Sequence, residues 1–346
     1  MGPFGCGGAL MAVGKKGIAF ILIAIVFVII ISIIVFTKTE FGMASSQEAI
    51  ESRITTMDTF LDDFYTDVNR ASLISGYRAF IAMEEFLTDP GNAGIAGVTT
   101  IEGFYIDPSI TFIEVFMNGT IGGETSSLMN NASFRDYQYR VNLLTDIMGL
   151  DFNATVTDAI MNQSDPWSVN VHLRFNINLV DQRGLASWKL NKTVTTNIPL
   201  TDLKDPIYTV NTGLPVTVRP FPYDEFIDDT GDANDTSNFQ VYFDDTYFIS
   251  SNRSPSFVMR FSNDLRPSPY GIESLINMED LFAKDSDLVK GNLSIVDFMY
   301  FSDDKYNATS CSFEGTPGIP SWVKLDNESV IYPYSELATE LEHSSC

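Results

Sequence analysis

The chain has 346 residues, with 45 acidic against 21 basic side chains and a formal net charge of −24. Hydrophobic residues make up 45% and include 26 Phe and 14 Tyr, which excludes a fully disordered chain and supplies one large domain or two small ones. A pI near 4.2 excludes nucleic acid as a partner, because phosphate would meet only repulsion.

The first element is an apolar run, Gly17 to Phe36, in which Ser32 is the one polar side chain. A helix of that length spans ~30 Å, the hydrocarbon thickness of a bilayer, and it lacks the polar stripe of a core helix. The run predicts a transmembrane helix over 18–37, with the lipid bilayer as partner. Lys15 and Lys16 precede it, so residues 1–17 form a cytoplasmic leader and the rest is extracellular. The part beyond position 37 holds all 45 acidic and 19 basic side chains, a formal charge of −26. A cleaved secretory signal would have a shorter apolar core and a small-residue cleavage site, which Thr37-Lys38-Thr39-Glu40 does not supply.

Lys15-Lys16-Gly17-Ile18, directly ahead of the apolar helix, resembles the class III signal peptide of archaeal type IV pilins and archaellins. The resemblance covers about the first 36 residues. It implies a prepilin peptidase as partner, cutting between Gly17 and Ile18 and leaving the apolar helix on the mature chain. With Met11 as the start, the leader would be MAVGKKG. The pattern departs from the family at the fifth position after the cut, where Leu22 replaces the pilin Glu.

Residues 45–88 read as a long juxtamembrane amphipathic helix. Ile50, Ile54, Met57, Leu61, Phe64, Val68 and Ala71 recur at steps of four and three. Ser45 with Glu48 forms a capping box, and Asp89-Pro90-Gly91 ends the element. Either this face self-associates as a stalk or it lies on its own domain's sheet. Phe41-Gly42 is a possible break from the membrane helix.

A second amphipathic helix is expected over 134–148, with Tyr137, Val141, Leu144 and Met148 on its inner face and Gly149 as C-terminal cap. An antiparallel hairpin follows over 167–200. Trp167 to Leu179 alternate apolar with polar, Asp181-Gln182-Arg183-Gly184 turns, and Trp188 to Leu200 resume the alternation. Asn191 and His172 fall on the polar face. Residues 201–237 read as loop. Phe239–Ile249, Phe257–Phe261, Leu293–Phe301 and Trp322–Tyr332 read as strands, and Ile272–Phe282 as a short helix. The fold class is therefore α+β, with an α+β lobe over 89–215 and a second β-rich lobe over 216–346.

Ten N-x-[ST] sequons lie beyond the apolar run, at Asn118, Asn131, Asn153, Asn162, Asn191, Asn234, Asn252, Asn292, Asn307 and Asn327. They point to an exported glycoprotein. Pro255 makes Asn252 the weakest of them. Cys311 and Cys346 lie on the exported side, where a bridge between them can persist. Asp224 to Asp235 concentrates six acidic side chains in a Gly-containing loop. Asp228, Asp229, Asp232 and Asp235 could offer oxygen ligands to Ca²⁺, or simply be solvated charge, since the EF-hand order is not kept. No other cofactor is expected.

Catalytic signatures are missing. There is no G-x-S-x-G elbow, H-E-x-x-H helix or Gly-rich phosphate loop, and only His172 and His343 could serve a triad. The sequence predicts a non-enzymatic surface protein, pilin-like or surface-layer-like, which self-assembles or joins other pilin-like subunits. The alternative is an anchored adhesin or ligand-binding sensor using the aromatic-rich C-terminal part. Ser164-Asp165-Pro166-Trp167, Asp205-Pro206-Ile207-Tyr208 and Ser268-Pro269-Tyr270-Gly271-Ile272-Glu273-Ser274 make the ectodomain similar to anchored surface proteins of archaea.

Overall fold

The computed structural model describes residues 15–88, 100–101, 104–227, 235–289, 293–302, 310–313, 316–331, 333–335 and 337. Helix α1 runs unbroken from Lys15 to Thr88. The separate helix expected from residue 45 is thus part of a longer one. A capping box acts only where the preceding chain leaves the helix, and here the backbone arrives at Ser45 already helical. Gly42 is absorbed within it, at a cost of about 1 kcal/mol. Among the described residues no helix is long and apolar enough to cross a membrane. The side chains described within the apolar run are those of 25–35, and all of them are exposed.

The chain divides into two compact units: residues 1–63 with 183–186, and residues 64–182 with 187–346. The expected lobes 89–215 and 216–346 fall, apart from residues 183–186, within the second unit. In the first unit α1 is largely exposed, with Met57 and Leu61 buried. Ile54, expected on the same face, is exposed.

The second unit opens with α1 from Phe64 onward. A short pair, β1 (Thr100–Ile101) with β2 (Phe104–Tyr105), leads to α2 (Pro108–Asn118). Asp107 caps α2 by accepting a bond from the Ile110 N–H at 3.0 Å, Pro108 takes the first turn, and Gly119 closes it in the left-handed region at φ 73°. The pair β3 (Thr120–Ile121) and β4 (Glu124–Thr125) follows. Helix α3 (Phe134–Ile147) starts on a capping box between Ser133 and Asp136. The predicted helix is present, but its face is not the expected one. Leu144 and Met148 are exposed, and Ile147 is 83% exposed, whereas Phe134 and Thr145 are buried. The helix docks through its first turn, where Phe134 stacks on Phe116 at 5.4 Å and meets Phe175 at 6.1 Å.

The central sheet is a three-stranded antiparallel meander: β5 (Leu150–Asp165), β6 (Ser168–Asp181) and β7 (Ser187–Pro199), with β6 in the middle. The expected hairpin is β6–β7, registered from Ser168↔Pro199 to Val180↔Ser187. Strand β5 extends it by a third strand that alternation does not reveal. Register shifts at 156/158 and 163/165 break its period, and Asn, Thr and Asp fill much of its exposed side.

Helix α1 packs on the inner face of this sheet. Phe64 meets Phe152 at 4.9 Å and Phe175 at 5.9 Å, and Thr196 donates to Asn69 at 2.9 Å. Of the two arrangements open for the amphipathic face, the structure shows helix on sheet from Phe64 onward. Further along, Phe80 gathers Phe112, Phe257 and Phe261 at 4.5, 5.8 and 6.1 Å. Each such ring pair adds about 0.5–1.5 kcal/mol beyond the area it buries.

The remainder is made of short elements, in order α4 (Pro206–Thr212), α5 (Ser237–Asp244), β8 (Phe248–Ser250), α6 (Phe257–Arg260), β9 (Ile272–Ser274), α7 (Met278–Lys284), α8 (Asp297–Tyr300), β10 (Ser310–Ser312), β11 (Lys324–Asp326) and α9 (Asn327–Ile331). β8 pairs with β9 and β10 with β11, both antiparallel. The expected β-rich lobe is therefore corrected. Of the four apolar segments taken for strands, Phe257–Phe261 and Leu293–Phe301 hold the helices α6 and α8, while Phe239–Ile249 holds α5 before β8 and Trp322–Tyr332 holds β11 before α9; the expected helix 272–282 splits into β9 and α7, and the loop 201–237 contains α4. Several of these segments bury runs of consecutive side chains, such as 254–257, 271–276 and 294–298, so hydrophobicity runs through them without a clear period. Phe239, Tyr242, Phe243 and Tyr334 form their core.

Candidate functional site

Two groupings of polar side chains stand out: the outward face of the central sheet, and a buried ionic cluster.

On β6, residues 169 to 179 at odd positions are buried against α1 and its neighbours, which sends the even positions outward. The register carries three sequon asparagines onto that outward face. Asn153 lies opposite Asn178, Asn162 opposite Asn170, and Asn191 opposite Asn176. All three are exposed. The Thr155 hydroxyl donates to Asn153 Oδ1 at 3.2 Å. His172, also on this face, contacts Asn162 Oδ1 through Nε2 at 2.7 Å and Thr195 Oγ1 through Nδ1 at 2.9 Å. Since Asn162 Oδ1 can only accept, Nε2 carries the proton in the neutral ring and Nδ1 accepts from Thr195. His172 is thereby a bridge across three strands.

The other described sequons are scattered. Asn118 ends α2, Asn131 sits in a left-handed turn at φ 57°, Asn252 lies in the loop after β8, and Asn327 begins α9. All seven described sequon asparagines are exposed. Asn234, Asn292 and Asn307 lie outside the described residues, as do Asp228, Asp229, Asp232, Cys346 and His343. Asp235 is exposed and accepts a bond from the Ser237 N–H at 2.9 Å. Among the described residues no group of three or more His, Cys, Asp or Glu could hold a metal ion. Cys311 is disulfide-bonded. Gly17 and Ile18 fall in α1.

The buried cluster centres on Arg260, which is fully buried together with Asp205 and Asp297. Its Nη1 lies 2.8 Å from Asp205 Oδ2 and 2.8 Å from Asp297 Oδ2, and Nη2 donates to the Ile272 carbonyl. Burial opposes the guanidinium charge, but the two carboxylates outweigh it and raise the Arg260 pKa. The Ser274 hydroxyl donates to Asp297 Oδ2 at 3.0 Å, so Tyr208 donates to Ser274 at 2.9 Å. Asp205 also caps α4, accepting from the Ile207 and Tyr208 N–H groups. Beside the cluster, burial pushes Glu273 up to about 7, against the bond it accepts from the Ser254 hydroxyl. On α1, burial pushes Glu84 up to about 8, although its Oε1 accepts from the Lys204 N–H at 3.0 Å.

With no exposure, Arg260 and its carboxylates meet no solute. The cluster ties α4, α6, β9 and α8 together, and sequence reasoning missed it entirely. The one available signal was the Asp-Pro pair at 205–206, a helix-start signature that marks Asp205 as a cap.

Open clefts lie elsewhere. One of about 650 Å³ is lined by Glu85, Phe86, Glu124, Ser126 and Lys204. Another, of about 570 Å³, has Met278, Glu279, Phe282, Leu293, Trp322 and Lys324 in its walls. Comparison with protein-family models, curated proteins and solved structures finds no match to this chain.

Proposed function

We propose that the chain is a non-enzymatic surface protein, held in the bilayer by the apolar start of α1 and displaying an N-glycosylated ectodomain, a pilin-like or surface-layer-like assembly subunit. The observation that carries this reading is the run Gly17–Phe36 within α1, whose described side chains, 25–35, are exposed without interruption. Eleven consecutive exposed, almost wholly apolar residues are untenable in water and normal in lipid. The exposure of every described sequon asparagine supports an exported, glycan-bearing surface. The processed form begins at Ile18, as the Lys15-Lys16-Gly17 leader implies, with the N-terminus on the cytoplasmic side.

The test is fractionation combined with N-terminal sequencing of the native protein. A membrane-bound chain beginning at Ile18 is expected. Recovery of the intact chain from the soluble fraction overturns the anchor, and an intact Met1 or Met11 overturns the processing. Filaments containing the chain, seen by electron microscopy, would place it in an assembly. A second reading, an anchored adhesin or sensor, is favoured by the cleft that Phe282 and Trp322 line. Its test is saturable binding of a soluble ligand that is lost on Trp322→Ala.

A further inference from the structure

A sequon requires Ser or Thr two residues after the asparagine, and the feature those two share is the hydroxyl. The glycan-transferring enzyme must therefore reach both the asparagine amide and that hydroxyl. Exposure of the asparagine alone does not define an acceptor, and the hydroxyls of this chain differ sharply.

At Asn153 and Asn191 the partners Thr155 and Thr193 are exposed, and each pair stands on the outward face of an extended strand. At Asn131 the partner is Ser133, 3% exposed, whose hydroxyl caps α3 by accepting from the Asp136 N–H and donating to Asp136 Oδ2 at 2.7 Å. At Asn252 the partner Ser254 is 0% exposed and its hydroxyl is bonded to the buried Glu273. At Asn327 the partner Ser329 is 3% exposed. Asn162 is held twice: His172 contacts its amide oxygen, and the hydroxyl of its half-buried partner Ser164 donates to Asp165 Oδ2 at 3.4 Å and lies 3.3 Å from Ser168 Oγ.

We infer that the outward face of the β5–β6–β7 sheet is the surface on which the folded chain accepts N-linked glycan, at Asn153 and Asn191. Asn131, Asn252 and Asn327 are closed once the chain has folded and take glycan only if it is attached beforehand. The inference rests on the glycoprotein reading for its biological meaning, but its geometry can be tested without it. The step is glycosyl transfer. The C1–O bond of a lipid-linked glycosyl phosphate breaks, and a C1–Nδ2 bond to asparagine forms. The amide proton passes to a base on the enzyme, and the lipid phosphate leaves.

The experiment uses the folded, unglycosylated full chain and a purified oligosaccharyltransferase with its lipid-linked donor. Short peptides carrying each sequon serve as references. Glycopeptide mass spectrometry gives the rate at each site relative to its own peptide. Asn153 and Asn191 are expected to approach their peptides, and Asn131, Asn252 and Asn327 to be slower by at least roughly tenfold, since they require local opening. Asn162 should lie between, and His172→Ala should raise it while leaving Asn153 and Asn191 unchanged. Equal relative rates at all described sites, or no transfer at Asn153 and Asn191, would overturn the inference. Native protein bare of glycan would overturn the glycoprotein reading alone, since the relative rates in vitro still decide this one.

Discussion

Replacing Glu84 by Gln should flatten the pH dependence of stability. Glu84 is 3% exposed on the buried side of α1, where one accepted bond from the Lys204 N–H and the Lys204 charge offset its burial only in part. An ordinary glutamate ionises at 4.5, and burial moves this one to about 8. Between those values the unfolded chain has lost the proton that the folded chain retains. The folded state then binds more protons, so stability falls as pH rises. The contribution is intact below pH 4.5, and the loss is complete once pH has passed through about 8. Taken at face value the loss is roughly 5 kcal/mol, and relaxation around the charge reduces it to about 2–5 kcal/mol. Glutamine keeps an acceptor for the Lys204 N–H and cannot ionise. The measurement is urea unfolding of the full chain at pH 5 and pH 9, followed by tryptophan fluorescence. The three tryptophans, at 167, 188 and 322, all lie in the unit that contains Glu84. Relative to wild type, E84Q should gain about 2–5 kcal/mol at pH 9 over its standing at pH 5. An offset identical at both pH values would refute the reasoning.

Two further substitutions probe the interior. Arg260→Met removes the cation between Asp205 and Asp297 and leaves two carboxylates facing each other in the dark. It should destabilise by about 3–5 kcal/mol at neutral pH. The deficit should shrink in unfolding experiments at pH 4, because burial raises the Asp205 pKa and favours its protonation; a deficit unchanged at pH 4 would count against the ionic account. Gly271→Ala would place a Cβ 2.1 Å from the Ser254 carbonyl oxygen and 2.2 Å from that of Ser251, both backbone atoms. A loss of about 3 kcal/mol or more in thermal or denaturant unfolding is expected. Near-neutral behaviour would mean that the loop before β9 is not held as drawn.

The elements that were legible in the sequence are those whose environment has two sides. Strand β6 is half buried, so its residues alternate and its extent could be read almost to the residue. The outward placement of Asn191 and His172 followed from the same alternation. Helix α3 was legible from its length and its Gly149 stop, but its face was not, because the docking residue is Phe134 in the first turn and the later apolar side chains stay exposed. The elements of the second half are short and bury runs of consecutive side chains, and there aromatic runs such as Phe239–Phe243 carry no period that separates helix from strand. The caps did carry information: Asp107-Pro108 and Asp205-Pro206 both open helices. The Arg260 cluster unites residues 205, 260 and 297, a separation that no local pattern bridges.

The central sheet also explains why a motif count and an acceptor count differ. A sequon is a property of three consecutive residues, whereas access to its hydroxyl is a property of the fold. Ser133 shows the conflict in its simplest form. Its oxygen receives the Asp136 N–H and its proton goes to the Asp136 carboxylate, so α3 begins where it does because that hydroxyl is fully engaged. The Ser254 hydroxyl is engaged too, fully buried and donating to a glutamate whose own ionisation is suppressed by the same burial. At Asn153 and Asn191 the threonine hydroxyls stand in the open: Thr155 and Thr193 are exposed, and the Thr155 hydroxyl donates to the amide oxygen of its own sequon, Asn153, at 3.2 Å. The inner face of the sheet is closed by α1, the outward face faces solvent, and an extended strand turns an asparagine and the threonine two residues later to the same side. The alternation that makes these segments strands is therefore also what makes Asn153-Ala154-Thr155 and Asn191-Lys192-Thr193 open as units, and helix starts and buried loops cannot offer the same geometry.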